Sequence, residues 1–137
     1  LERCAAAGDK IITVHSVRSA KAVLEYVEAY LPPGRGKVVL HWFTGTKSEA
    51  KRAIELGCYF SINAAMFTNE RHLSMINAIP KDRLLTETDG PFTRVGDRLS
   101  VPSDVALVVK VLGGINNVPV DKMAEIIRSN LRALLIK

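Results

Sequence analysis

The chain has 137 residues, of which 47% are hydrophobic and 24% charged, and its formal net charge at pH 7 is +5. This composition is typical of a folded soluble domain, and no apolar run reaches the ~20 residues that a membrane-spanning helix needs. The first ten residues carry charge and lack the apolar stretch of a signal peptide, so we expect a cytoplasmic protein without membrane contact. The basic residues are dispersed, and the charge alone only weakly favours an anionic partner such as nucleic acid.

The two cysteines, Cys4 and Cys58, lack the paired spacing of a zinc site. Two buried, reduced thiols in a reducing cytosol are therefore favoured over a disulfide or a zinc site. The chain begins without methionine, and residues 1–8 are typical of the last turns of a helix, with Gly8 just beyond its end. We expect residues 1–137 to be a single-domain fragment whose upstream part is missing, with trimming of a short leader as the alternative.

Short apolar runs alternate with amphipathic segments along the chain. The predicted strands are Ile11–Val14, Val38–Leu40, Cys58–Ile62 and Leu84–Thr86. The predicted helices run over 19–31, over 48–57 with Ser48 as its cap, from Asn69 until Pro80, onward from a cap at Ser103, and onward from Pro119.

The order βαβαβαβαα predicts parallel strands with helices packed outside them. Units of roughly 25 residues fit either a doubly wound sheet or one half of an eight-stranded barrel. Neither GxGxxG nor GxxxxGK[ST] follows any predicted strand, which argues against the nucleotide-binding versions of the open sheet.

Three predicted strands run into metal-ligand residue types: His15, His41 and Asp89. Their spacing corresponds to about one and two strand–helix units, so we expect the three side chains at the same rim of the sheet. Two imidazoles and a carboxylate suit zinc, manganese or a related divalent ion, and three protein ligands leave positions open for catalysis. Such an ion acidifies a bound water, and Asp89 is a candidate both to hold the ion and to accept that proton.

Ordinary structural roles remain the alternative for each of these residues. A single histidine at a strand end is more often a hydrogen-bonded core residue than a ligand, and Glu87 or Asp89 is placed to pair with Arg18 or Arg83. His72 lies in the middle of a predicted helix, far from any strand end, and we expect it to be a surface residue.

Five phrases carry a resemblance to a known family, and they stand in the family's order over nearly all of the chain. They are VHSVRSA at 14–20, LHWFTGT at 40–46, ELGCYFSINAAM at 55–66, LLTETDGPF at 84–92 and NLRALL at 130–135. With them the chain resembles the TatD family of metal-dependent deoxyribonucleases.

The resemblance implies an α/β fold that is the C-terminal half of a TIM-type (β/α)8 barrel, with four parallel strands and outer helices. It implies His15, His41 and Asp89 as ligands of divalent ions (Zn, Mg or Mn) and a metal-activated water that attacks a phosphodiester bond of DNA. Glu87 is expected to orient the site as a supporting acid, and Arg18 to contact a phosphate or a carboxylate.

Trp42 and Gly90, in HWF and TETDGPF, are more similar to the TatD-like proteins of the Qat antiphage defence cassette than to the housekeeping members. The other proteins of such a cassette are then expected partners, in addition to DNA and the missing N-terminal half of the barrel.

The sequence also departs from the family pattern. It has no HxH pair and lacks the middle-strand glutamate that bridges two ions; Thr44 replaces a serine, and Gly90 replaces an alanine and is expected to loosen its turn. We therefore expect the fragment alone to be inactive. The alternatives are an amidohydrolase acting on cyclic amides or lactones, and a non-catalytic barrel half that serves as a scaffold in a multi-protein complex.

Overall fold

The computed structural model describes residues 1–136 as an α/β unit. Four parallel strands form one sheet in the order β1-β2-β3-β4, and two short antiparallel strands, β5 and β6, form a separate hairpin. The strands are β1 Lys10–His15, β2 Gly36–His41, β3 Tyr59–Ile62, β4 Leu84–Thr86, β5 Arg94–Val95 and β6 Arg98–Leu99. The helices are α1 Glu2–Ala7, α2 Ala20–Tyr30, α3 Lys47–Glu55, α4 Glu70–Ile76, α5 Val105–Ile115 and α6 Val120–Leu135. The predicted α/β class and its four parallel strands are confirmed.

The two faces of the sheet differ in how they are covered. Val38 and Leu40 of β2 face the main core, where they pack with Phe60, Leu84 and the inner sides of the helices. Val39, between them, points to the opposite face and forms a small second cluster with residues of β3, β4 and α6. This alternation follows from the two-residue period of a strand, and it places His41 on the same face as Val39.

Three helix boundaries differ from the sequence prediction. Helix α3 begins after Thr46 instead of at Ser48, because Thr46 and Glu49 form a reciprocal capping box. Helix α5 begins after Asp104 instead of after Ser103, and the Asp104 carboxylate accepts the main-chain N–H of Val101 at 2.8 Å. Helix α4 ends at Ile76 and does not continue to Pro80.

Helix α6 is fastened to the strand starts by two polar side chains. The Lys37 ammonium at the beginning of β2 donates to the carbonyls of Ala133 and Leu134 at 2.8 and 3.0 Å, in the last turn of α6. Asn130, which is buried, donates to the carbonyls of Lys81 and Leu84 at 2.7 and 2.8 Å. Both side chains donate to main-chain oxygens, and those of Lys37 lie in the last turn of α6, where helix carbonyls lack partners within the helix.

Both cysteines are free thiols within residues 1–136; Cys58 is buried as predicted, whereas Cys4 is only partly buried. Burial raises the pKa of the Cys58 thiol to about 12, which disfavours the thiolate. None of the helices in these residues combines the length and the apolar character that crossing a bilayer requires.

Candidate active site

The two predicted histidine ligands lie side by side where β1 and β2 end. His15 is paired in register with His41, so both side chains point to the same face of the sheet. Their ring centroids are 5.2 Å apart. Beyond the strand ends, the buried Ser16 donates from both its main-chain N–H and its hydroxyl to the His41 carbonyl, which fixes the backbone at this point.

His41 lies between two carboxylates. Its Nδ1 donates to Glu87, and its Nε2 lies 3.2 Å from Oδ1 of Asp89. Glu87 also accepts a hydrogen bond from the buried Asn63, whose Nδ2 is 2.9 Å from its other oxygen. A histidine held at Nδ1 by an acid has its ring orientation fixed, and its other nitrogen is directed at one point. Here that point is Asp89.

Asn63 is a site residue that sequence reasoning missed. It follows β3 directly, in the phrase FSIN, so it is a polar side chain at the end of a buried strand like His15 and His41. This position at the end of a predicted strand could have identified Asn63 as a site residue from the sequence. Its amide anchors Glu87, while its carbonyl oxygen caps the following turn by accepting the N–H of Ala65 at 3.1 Å.

The structure brings His15, His41 and Asp89 to one rim but does not close a ligand set around an ion. Within residues 1–136, no group of three or more His, Cys, Asp or Glu side chains converges tightly enough to hold a metal. Both nitrogens of His41 are occupied by carboxylates, and His15 contacts His41 ring to ring. The donor chemistry suits a divalent cation, and the assignment of these residues as its ligands stays a prediction.

Backbone strain is concentrated at this rim. Among residues 1–136, five residues other than glycine have a positive φ, and three of them lie at strand ends: Arg18 at 55°, Trp42 at 48° and Asp89 at 53°. Left-handed backbone is unfavourable for such side chains and persists at sites where the surrounding structure enforces it. Asp89 thus reaches His41 from a strained position three residues beyond the end of β4.

Arg18 lies in the loop after β1, three residues after His15, and forms no ion pair with Glu87 or Asp89. Its main-chain N–H donates to the hydroxyl of Thr44 at 3.0 Å, which ties the loop after β1 to the loop after β2. The side chains of Arg18 and Arg71 line a cleft of about 630 Å³ that we call the arginine cleft. Within residues 1–136 neither guanidinium has a carboxylate partner.

The two acids that line the arginine cleft have partners among its other lining residues. Glu25 lies 4.0 Å from Lys21 in an ion pair, and Glu49 accepts the N–H of Thr46 at 2.7 Å in the capping box of α3. The cleft also receives the first residues of α2 and α3, where helix dipoles favour negative charge. Its chemistry therefore suits an anion.

Two further expectations are corrected. His72 is half-buried instead of a surface residue, and its Nδ1 is buried without a hydrogen-bond partner in residues 1–136. Burial lowers the pKa of the His72 imidazole, and the positive charge of Arg71 lowers it further. Gly90 does not loosen its turn, because a Cβ at this position would lie 2.1 Å from the main-chain oxygen of Ser100. The Arg83 side chain, considered as a partner of the acids, lies over the ring of Tyr59.

Comparison with known proteins agrees with the fold and shows the family. The sequence profile of the family described as TatD related DNase matches residues 2–136. The chain belongs to the TatD-related DNase family. A Schizosaccharomyces pombe protein named deoxyribonuclease Tat-D is 37% identical over 82 residues, which are 60% of this chain and 26% of that protein. A putative deoxyribonuclease of Danio rerio is 27% identical over 130 residues, which are 94% of this chain and 48% of that protein.

Solved structures show the same fold. A TatD homologue of Escherichia coli superposes with a TM-score of 0.78 at 26% identity, covering 90% of this chain and 49% of the other. A TatD-family hydrolase of Entamoeba histolytica gives a TM-score of 0.79 at 18% identity, a likeness of fold alone. The chain thus spans between about a quarter and a half of the length of the relatives it matches.

Proposed function

We propose that this chain is the C-terminal half of a longer TatD-related nuclease that hydrolyses DNA phosphodiester bonds with a divalent metal ion. The observation that carries the proposal is the ordered row Glu87–His41–Asp89, with Nε2 of His41 3.2 Å from Asp89 and His15 beside it. Membership of a DNase family, with relatives named deoxyribonucleases, supplies the substrate class.

We assign His15, His41 and Asp89 as metal ligands. The set combines nitrogen and oxygen donors, which suits Zn or Mn and also admits Mg through the carboxylate. Because the described residues close no complete ligand set, the remaining ligands are expected from the missing N-terminal half. When bound, such an ion supplies an acidified water and polarises a phosphoryl oxygen.

The chain's own side chains then have distinct tasks. Asp89 is the candidate catalytic residue, since its carboxylate at the rim is placed to accept a proton from an attacking water. Glu87 positions the His41 ring through Nδ1, and Asn63 holds Glu87 in turn. Removing such a supporting partner typically costs tenfold to a hundredfold in affinity or activity.

The arginine cleft is the proposed contact for the DNA backbone. Arg18 lies in the loop that follows β1, three residues after His15, and this short connection supports a phosphate path from the cleft to the rim. Arg71 enters the same cleft from α4 and adds a second guanidinium, the group best suited to phosphate oxygens. Binding through these two residues should weaken as salt rises, because phosphate contacts release counterions.

The test uses the longer protein that contains this chain, a labelled DNA oligonucleotide and metal-stripped buffer. We expect no cleavage after chelation and recovery with Mn, Mg or Zn, whereas Asp89→Asn should lower the rate at least about a hundredfold in every metal. Residues 1–137 alone should cleave negligibly. Cleavage that persists in the chelated protein, or in the Asp89→Asn variant, would refute the metal-dependent mechanism.

Substrate and variant panels separate the two alternatives. An amidohydrolase would turn over lactones or cyclic amides faster than a nitrophenyl phosphodiester. The structure of an amidohydrolase from Saccharomyces cerevisiae is similar to this chain in fold alone, at 14% identity. A scaffold would keep its complexes and its cellular effect when His41 is replaced by alanine. Neither behaviour is expected of a nuclease that works through the Glu87–His41–Asp89 row.

We further propose that the longer protein acts in the cytoplasm in antiphage defence, as the QatD-like branch of the family. The support is limited to sequence likeness at Trp42 and Gly90. Plaque counts in cells that carry the whole cassette test this: Asp89→Asn should abolish protection, and association with the other cassette proteins should survive. Full protection by that variant would show that defence does not depend on nuclease activity.

A further inference from the structure

Phe92 has an unusual position for a large aromatic side chain. Its side chain is 83% exposed, the highest value among the exposed large hydrophobic residues in residues 1–136. A single exposed apolar residue needs no explanation on a plain surface. This one stands three residues after Asp89, at the rim that carries the candidate site.

The backbone beneath the ring is held firmly. The Phe92 N–H donates to the Asp89 carbonyl at 2.8 Å, which closes a tight turn. The next residue, Thr93, is buried and its hydroxyl donates to the Thr88 carbonyl. Gly90 packs so closely on Ser100 that a Cβ would lie 2.1 Å from its main-chain oxygen. The turn is exposed but is held to the hairpin at Thr93, whose carbonyl accepts the Ser100 N–H at 3.0 Å, and the Phe92 ring is exposed to solvent.

The same turn fixes the distance between the ring and the candidate site. Asp89 begins the turn and lies 3.2 Å from Nε2 of His41, and Phe92 ends it. A DNA strand whose phosphate is bound at the rim therefore passes beside the ring. The following strand places the exposed Arg94 nearby, with its guanidinium on the Asp97 carbonyl.

We propose that Phe92 is a stacking platform for one nucleobase of the DNA substrate, next to the phosphate bound at the rim. The inference rests on the proposed nuclease function. Aromatic rings bind single-stranded nucleic acid by stacking on base faces, and this needs no particular base because every base has a π-face. A base must be unpaired to reach the ring, so Phe92 contributes to binding of single strands and frayed ends only.

The test measures binding of the longer protein to two fluorescent oligonucleotides without added metal, so that no cleavage occurs. One is a single-stranded thymidine oligonucleotide, and the other is an abasic strand of the same length. Phe92→Ala should weaken binding of the thymidine strand by roughly tenfold, the effect of losing one base–aromatic stack. It should change binding of the abasic strand less than about twofold, because that strand offers no base to stack.

Two control variants sharpen the result. Phe92→Trp keeps an aromatic face and should restore binding of the thymidine strand. Tyr26→Ala removes another exposed aromatic side chain, 59% exposed on the outside of α2, and should change neither affinity. Melting temperatures of all variants are measured in parallel.

The outcomes distinguish failure of the stacking role of Phe92 from failure of the proposed nuclease function. Equal weakening of both strands by Phe92→Ala, or no weakening of either, overturns the stacking role. An unchanged affinity with a lowered melting temperature also overturns it, since the ring then packs against the rest of the protein. If the wild-type protein binds the thymidine strand while Phe92→Ala behaves like wild type, the nuclease proposal survives; if the wild-type protein binds neither strand, both proposals fail.

Discussion

The two ends of the parallel sheet differ in what their polar side chains bond to. Where the strands start, Lys37 donates to main-chain carbonyls of α6, and Asn130 donates to the carbonyls of Leu84 in β4 and of Lys81 just before it. Where the strands finish, Glu87, His41 and Asp89 bond to one another. Side chains that hydrogen-bond to the main chain contribute to stability. Side chains that bond only to one another can give up such a bond to bind a ligand.

Backbone strain is more frequent at the finishing ends of the strands. Of the five residues other than glycine with a positive φ in residues 1–136, Arg18, Trp42 and Asp89 follow strands, Asp9 precedes β1, and Asn117 lies between α5 and α6. Strain of this kind costs about 1–3 kcal/mol per residue and is tolerated where it positions a functional group. In parallel-strand barrels the carboxyl end of the strands holds the chemistry and the opposite end mainly holds stability. This chain should therefore lose activity and stability through different residues.

The largest effect is expected from the rim. His41→Ala in the longer protein removes the partner of both Glu87 and Asp89 and should lower DNA cleavage by at least about a hundredfold. His72→Ala is the matched control, since the third histidine of the chain lies on α4 and should leave cleavage within a few fold. Rates with a labelled oligonucleotide decide the matter, and equal loss in both variants would mean that the rim has no special role.

The next effect belongs to the strand starts. Asn130→Ala removes the two hydrogen bonds that the amide donates to the carbonyls of Lys81 and Leu84, which should lower the free energy of unfolding by about 2 kcal/mol. Cleavage at a temperature where the variant is folded should be unchanged. Urea unfolding of this variant beside Ser129→Ala, an exposed neighbour on the same helix, measures the difference; similar midpoints for the two would contradict it.

Lys37→Met keeps the apolar stem of the side chain and removes the ammonium from the end of α6. We expect a loss of about 1 kcal/mol, because a cation at a helix C-terminus gains from both the carbonyl bonds and the helix dipole. Lys10→Met, at an exposed position on β1, is the control. A larger effect on cleavage than on unfolding would show that the two ends of the sheet are not separable.

The sequence predicted the strands well because their signal is local. Leu84–Thr86 matches β4, and the other three runs differ from the strands only at their ends. The rim residues His15, His41, Glu87 and Asp89 also followed from strand position, since equivalent ends of parallel strands meet. Their mutual proximity is observed, and their role as ligands is still a prediction.

What the sequence did not predict depends on contacts between distant segments. The hairpin of β5 and β6 rests against the turn of Gly90, and the effect of that glycine is visible only when Ser100 is placed beside it. The half-buried position of His72, with its buried Nδ1, likewise comes from packing around α4 and not from the residues next to it in sequence. The start of α3 was predicted wrongly for a different reason. Thr46 and Glu49 have the spacing of a capping box, but Ser48 is also a typical helix cap and was chosen instead.

The smallest expected effect is a dependence of stability on pH. It tests whether the finishing end of the sheet also contains an ion pair with a structural role alone, that of Arg98 and Asp104. Arg98 holds Asp104 through two hydrogen bonds, which together with the Val101 N–H lower the pKa of Asp104 from 3.8 to about 2. A carboxylate with a depressed folded pKa stabilises the protein above its unfolded pKa, and that contribution is lost as the pH falls from about 4 towards 2.

Asp104→Asn should therefore flatten the acid side of the stability curve between those pH values and leave the slope near neutrality unchanged. Asp97→Asn is the matched control in the same hairpin, because its main-chain oxygen and not its carboxylate receives Arg94. Unfolding midpoints measured across the acid range compare the two. If both variants flatten the curve equally, the Arg98–Asp104 pair is not what anchors the hairpin to α5, and the Phe92 turn must depend on Gly90 and Thr93 for its position.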